Sequence, residues 1–84
     1  MSANVESAQE FLEKLAFQKV KQLIQEHAGL NCSGYRDGYL KRRFEIRLRA
    51  TATNTYGKYI IYLKKNPGEF TNLLNDLTVN YRFS

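Results

Sequence analysis

An all-α fold, a compact bundle of four or five helices, is what this 84-residue chain predicts. Three observations carry that reading. Apolar residues recur at steps of three and four through each long segment, the spacing of one helix face. Helix-ending and helix-starting signals fall between those segments, at H-A-G-L and at K-K-N-P-G-E. The β-branched run A-T-A-T-N-T is too short and too irregular to make a strand, so it reads as a connection between helices. A chain of this length holds one small domain, residues 1–84, in which nearly every apolar stripe must serve the core.

The first helix is predicted from Ser7 to Ala28, with Phe11, Leu15, Phe17, Val20, Leu23 and Ile24 as its apolar stripe. A break near Leu15 to Phe17 would split it and give the fifth helix. Gly29 stops it by supplying the left-handed conformation of a C-cap. The segment N-C-S-G-Y-R-D-G then reads as a loop.

The second helix carries Leu40, Phe44 and Leu48 four residues apart as a buried seam. Arg36, Arg43 and Arg47 fall along a flanking edge, and Arg42 and Arg49 lie farther round. Lys41 with Glu45, and Glu45 with Arg49, have the spacing of surface ion pairs. Thr55 or Asn54 caps the third helix, whose Tyr56, Tyr59, Ile60 and Leu63 repeat at three and four; its tyrosines read as core side chains with wet hydroxyls. At the fourth helix, Asn66 as N-cap, Pro67 at N1 and Glu69 at N3 have the spacing of a capping box, followed by Phe70, Leu73, Leu74 and Leu77.

The composition narrows the function. An apolar share of 43% with mixed charges fits a soluble globular chain. No apolar run approaches the roughly 18–20 residues that cross a bilayer, so no membrane insertion is expected. The polar, acidic start M-S-A-N-V-E-S-A-Q-E lacks the pattern of a signal peptide, and a cytoplasmic location follows. Cys32, the one cysteine, forms no disulfide within the chain and reads as a small packing residue. His27 reads as an imidazole near a helix C-terminus, because no Cys, His or carboxylate pair completes a metal site; no metal is expected. There is no phosphate loop, nucleophile elbow or catalytic carboxylate pair, and G-Y-R-D-G neither follows a strand nor has the spacing of a dinucleotide fingerprint.

Charge is the remaining signal. Residues 36 to 49 hold six basic side chains against Asp37 and Glu45, four of the formal net charge of +5. A face kept for solubility alone would mix its signs. This one is mostly arginine, whose planar fork suits carboxylate and phosphate, so acidic partners come first.

Four segments, in order, resemble one family. V-K-Q-L-I-Q-E-H-A-G-L, the spacing from Gly29 to Arg36 with R-F-E-I-R-L-R at 43 to 49, T-Y-G-K-Y-I-I-Y-L at 55 to 63, and L-L-N-D-L-T-V-N at 73 to 80 are collinear with its motifs. Over residues 17–80 the chain resembles the N-terminal helical domain of the chemotaxis receptor methyltransferases, the CheR family. That resemblance implies a recognition domain of an enzyme that methylates glutamates on the cytoplasmic helices of chemoreceptors, with S-adenosylmethionine as methyl donor. It implies two partners, those acidic receptor helices and the enzyme's own catalytic domain. Arg36, Arg43, Arg47 and Arg49 match the family's basic receptor-facing positions, and Arg42 extends them.

Two departures stand out. Position 46, often basic in the family, is Ile46 here. The family's T-x-F-F-R sequence, close to the cofactor, should begin where this chain reads Y-R-F-S, with Arg82 at the position of the Thr. The cofactor-binding α/β domain is absent from the chain, so the chain alone is expected to be inactive, without cofactor or catalytic residue, and to be either a piece of a longer enzyme, the favoured reading, or a free-standing domain. Two other readings stay open. A basic nucleic-acid-binding module would want Asn, Gln or Ser among its arginines to read bases, which this helix lacks. A structural bundle would have no partner on this face.

Overall fold

The computed structural model describes residues 2–78, with side chains from residue 8 onward. Helix α1 runs Ser2–Ala28, a single 3₁₀ turn Cys32–Gly34 follows, and then come α2 Asp37–Thr51, α3 Tyr56–Lys65 and α4 Glu69–Thr78. The described residues therefore form an all-α bundle. The expectations for Tyr81 to Ser84, with Arg82, and for the last two residues of L-L-N-D-L-T-V-N fall outside the described residues.

Helix α1 is continuous, with no break near Leu15 to Phe17. Its apolar residues divide between two sides. Val20 and Ile24 are fully buried, and Ala16, Phe17 and Leu23 pack against the core. Phe11, Leu12 and Leu15 are 61%, 56% and 51% exposed. The single stripe expected from Phe11 to Ile24 is thus corrected. At about 100° per residue, Leu15 lies roughly 160° and Phe11 roughly 120° round the helix from Phe17, so they cannot share its face.

The core has two layers, α1 against α3 and α2 against α4, joined where α2 crosses α3. Phe17, Phe44 and Tyr56 bring α1, α2 and α3 together, with ring centroids 5.4 to 6.3 Å apart in tilted and edge-on contacts. Leu40, Phe44 and Leu48 form the buried seam of α2, as their spacing requires. Leu63, Leu73 and Leu77 complete the centre. Cys32 is buried at its margin, where burial raises the thiol against the lowering charge of Lys21, so it packs as an apolar residue. His27 stacks on Phe70, with centroids 4.0 Å apart, and ties the end of α1 to α4.

The ends of the helices set their directions. Gly29 takes φ 71° and its N–H donates to the Gln25 carbonyl at 2.9 Å, the expected left-handed stop. Helix α3 has two caps. The Thr55 hydroxyl accepts from Lys58 N–H, and Glu13 reaches across from α1 to accept from the N–H groups of Tyr56 and Gly57 at 2.9 and 3.4 Å. The capping box at α4 does not form. The Asn66 side chain donates to the Tyr62 carbonyl and so closes α3, while the Glu69 carboxylate turns into the bundle. A buried cluster of donors outcompetes an exposed backbone N–H for that carboxylate.

Helix α2 ends in a Schellman arrangement without glycine. Ala52 has φ 57°, its N–H donates to the Arg49 carbonyl, and Thr53 N–H donates to the Leu48 carbonyl at 3.0 Å. A Cβ is strained there, so Ala52→Gly is expected to raise stability by about 0.5 kcal/mol, the relief of strain exceeding the added chain entropy. Urea unfolding checks the sign.

Candidate functional site

Helix α2 displays its arginines in three environments. Arg36, Arg42 and Arg49 are exposed, and among the described residues none of them makes an ion pair or a side-chain hydrogen bond. Arg36 is the N-cap residue, and its side chain caps nothing. Arg49 stands in the last turn, where the helix dipole favours a cation. The surface pairs of Glu45 with Lys41 and Arg49 do not close within 4 Å. Exposed partners of this kind gain too little to order two long side chains.

Arg43 is half-buried, with its guanidinium carbon 5.5 Å from the centre of the Tyr39 ring. Its Nε is buried and has no acceptor among the described residues. Tyr39 is itself fixed, its hydroxyl donating to the Leu77 carbonyl at 2.7 Å and its ring stacked on Tyr35. A shelf running from α4 through Tyr39 therefore carries the Arg43 head.

Arg47 points inward. Its Nε and Nη2 donate to the two oxygens of Glu69 at 2.7 and 2.9 Å, and Nη1 reaches Asp76 at 3.4 Å. The Glu69 carboxylate also accepts from the Tyr59 hydroxyl at 2.7 Å and from the Asn72 amide at 3.1 Å. Only 2% of the Glu69 side chain and 16% of that of Arg47 are exposed. Burial alone would raise the Glu69 carboxyl, but hydrogen bonds from Arg47, Tyr59 and Asn72 together outweigh it and hold the group below its ordinary value. The Tyr59 hydroxyl is buried and bonded to Glu69 rather than wet, and that burial and bond raise it above its ordinary value.

Tyr56 is also drier than its spacing implied. Its hydroxyl is buried with no hydrogen-bond partner among the described residues, and burial, followed by the charges of Glu45 and Glu13, pushes it up to about 12. It lines a crevice of about 450 Å³ between α1 and the start of α2, rimmed by Glu10, Glu13, Lys14, Asp37 and Lys41. That rim mixes both signs and holds no nucleophile beside a base. The described residues contain no group of three or more His, Cys, Asp or Glu placed to hold a metal ion. They contain no strand, and so no strand followed by a glycine-rich turn.

Arg36, Arg42, Arg43 and Arg49 lie outside the bundle's own ion pairs, and Arg47 lies within them. The profile of the CheR methyltransferase all-alpha domain matches residues 15–78. The chain belongs to that family. The match takes in the whole of α2, α3 and α4 and begins partway along α1, so the exposed Phe11 and Leu12 precede it. Comparison with curated proteins and with solved structures finds no match. No helix among the described residues is long and apolar enough to cross a membrane.

One feature was hidden from sequence reasoning, the pairing of Arg47 with Glu69. Its signal was present, since Glu69, Leu73 and Leu77 are four residues apart and the carboxylate heads an apolar row. Removing it leaves the Arg47 charge inside with Asp76 alone. Glu69→Gln is expected to cost about 3 kcal/mol in urea unfolding. The lowered carboxyl also fixes a sign. Its stabilisation is complete above the ordinary glutamate value of about pH 4.3 and is lost as the pH falls through the lower folded-state value. In Glu69→Gln that part of the acid slope is expected to vanish.

Proposed function

We propose that the chain is the receptor-recognition domain of an S-adenosylmethionine-dependent chemoreceptor glutamate O-methyltransferase, working in the cytoplasm in chemotaxis adaptation. Its ligands on this reading are the acidic cytoplasmic helices of chemoreceptors, bound through Arg36, Arg42, Arg43 and Arg49. One observation carries the reading: among the described residues the exposed guanidinium groups of Arg36, Arg42 and Arg49 make no ion pair, while Arg47, which pairs with Glu69 and Asp76, is turned inward. Membership of a family described as part of a methyltransferase supports the enzymatic setting.

On this reading the chemistry belongs to the enzyme's own catalytic domain, which binds the methyl donor and transfers the methyl group. The helical domain binds and orients. Exposed arginines facing receptor carboxylates raise the encounter rate and set the angle of approach, each pair contributing about 0 to 1 kcal/mol. Arg47 serves the same end indirectly, by holding α2 at the rotation that turns the others outward.

The test is titration of the chain with a receptor cytoplasmic-helix fragment and, separately, with a DNA duplex of similar charge, at low and moderate salt. Arg42→Glu/Arg43→Glu/Arg49→Glu is expected to keep its helical circular dichroism and to bind the receptor fragment about ten- to a hundredfold more weakly. Undiminished binding by this variant, or binding of DNA alone with a steep salt slope, contradicts the reading.

A further inference from the structure

The outward side of α2 is not uniformly basic. Ile46 stands on it with 39% of its surface exposed and takes no part in the core, which Leu40, Phe44 and Leu48 already serve from this helix. Residues three and four positions away are its neighbours on the helix surface, namely Arg42 and Arg43 before it and Arg49 and Ala50 after it. Nothing local favours isoleucine there, since arginine, lysine and alanine are all better helix formers.

The borders of this surface are acidic. Glu45 lies on one flank, and on the α4 flank Asp76, its side chain 31% exposed, sits beside the inward-turned Arg47. The cationic ground is thus a strip about one helix wide with an apolar centre. Arg43, held over the Tyr39 ring, is already ordered beside that centre. An apolar contact ringed by polar groups that exclude water is the arrangement of an interface anchor.

We propose that this strip docks an acidic amphipathic helix, seating an apolar side chain of the partner on Ile46 and the partner's carboxylates on Arg42, Arg43 and Arg49. This rests on the docking function above and adds the partner's pattern, one apolar residue with carboxylates three or four positions to either side. A phosphate backbone offers Ile46 nothing to pack against, whereas one face of a helix presents both chemistries at this spacing.

Two helical peptides test it against the whole chain, one with a leucine flanked at three and four residues on both sides by glutamates, the other with serine in place of that leucine. The wild type is expected to prefer the leucine peptide by roughly five- to twentyfold, the range for burying the exposed part of one isoleucine. Ile46→Ser is expected to erase that preference while keeping the wild-type salt dependence. Ile61→Ser, which alters an isoleucine 55% exposed on α3, is expected to bind as the wild type does. If Ile46→Ser keeps the preference while Arg42→Glu/Arg49→Glu loses both peptides, the anchor is wrong and the docking function stands. If Arg42→Glu/Arg49→Glu binds both peptides undiminished, or the wild type binds neither, the docking function fails and the anchor with it.

Discussion

One buried carboxylate sets the geometry of this bundle. Glu69 of α4 accepts four hydrogen bonds, two from Arg47 of α2, one from Tyr59 of α3 and one from Asn72 of its own helix. Burying such a charge is costly, and a pair of this kind adds little net stability over a well-packed apolar cluster. Its effect here is on position. The Arg47 fork accepts only a narrow range of angles, so the rotation of α2 about its own axis is fixed with respect to α3 and α4. With that rotation set, Arg42, Ile46 and Arg49 point away from the bundle.

The same residue type therefore does two jobs on one helix, separated by angle. Arg47 lies beside the Leu40, Phe44, Leu48 seam and is drawn inward. Arg42 and Arg49 lie on the opposite side and stay in water, and Arg43 stands between, resting on Tyr39. Charge counted along the sequence does not separate these roles, because an arginine paired with a buried acid and one left to solvent add equally to the net charge. For an acidic partner, the available charge is smaller and more localised than six basic residues imply.

Much of the fold was legible in the chain. The seam of α2, the glycine stop at Gly29, the Thr55 cap and the apolar row of α4 follow from periods and turn residues, which are local. What the sequence hid was set by contacts between distant segments. Glu69 has the spacing of a capping residue, and only the approach of Arg47 and Tyr59, far away in the chain, turns it inward. Glu13 looks like one more surface carboxylate until α3 begins beside it. Phe11 and Leu15 share the steps of three and four with the core residues, but the angle accumulated round the helix turns both away from the face of Phe17. On the candidate site, the arginines could be listed from sequence, but their division into inward and outward could not.

The central claim is that Arg47 belongs to the scaffold while Arg42, Arg43 and Arg49 meet the partner. The most direct measurement follows the arginine side-chain Nε–H signals of the wild-type chain by NMR during titration with an acidic receptor-helix fragment. The account predicts that the signals of Arg42, Arg43 and Arg49 shift with ligand while that of Arg47 stays in place, protected from exchange. A shift of the Arg47 signal together with loss of its protection, while the other three stay unmoved, would contradict it.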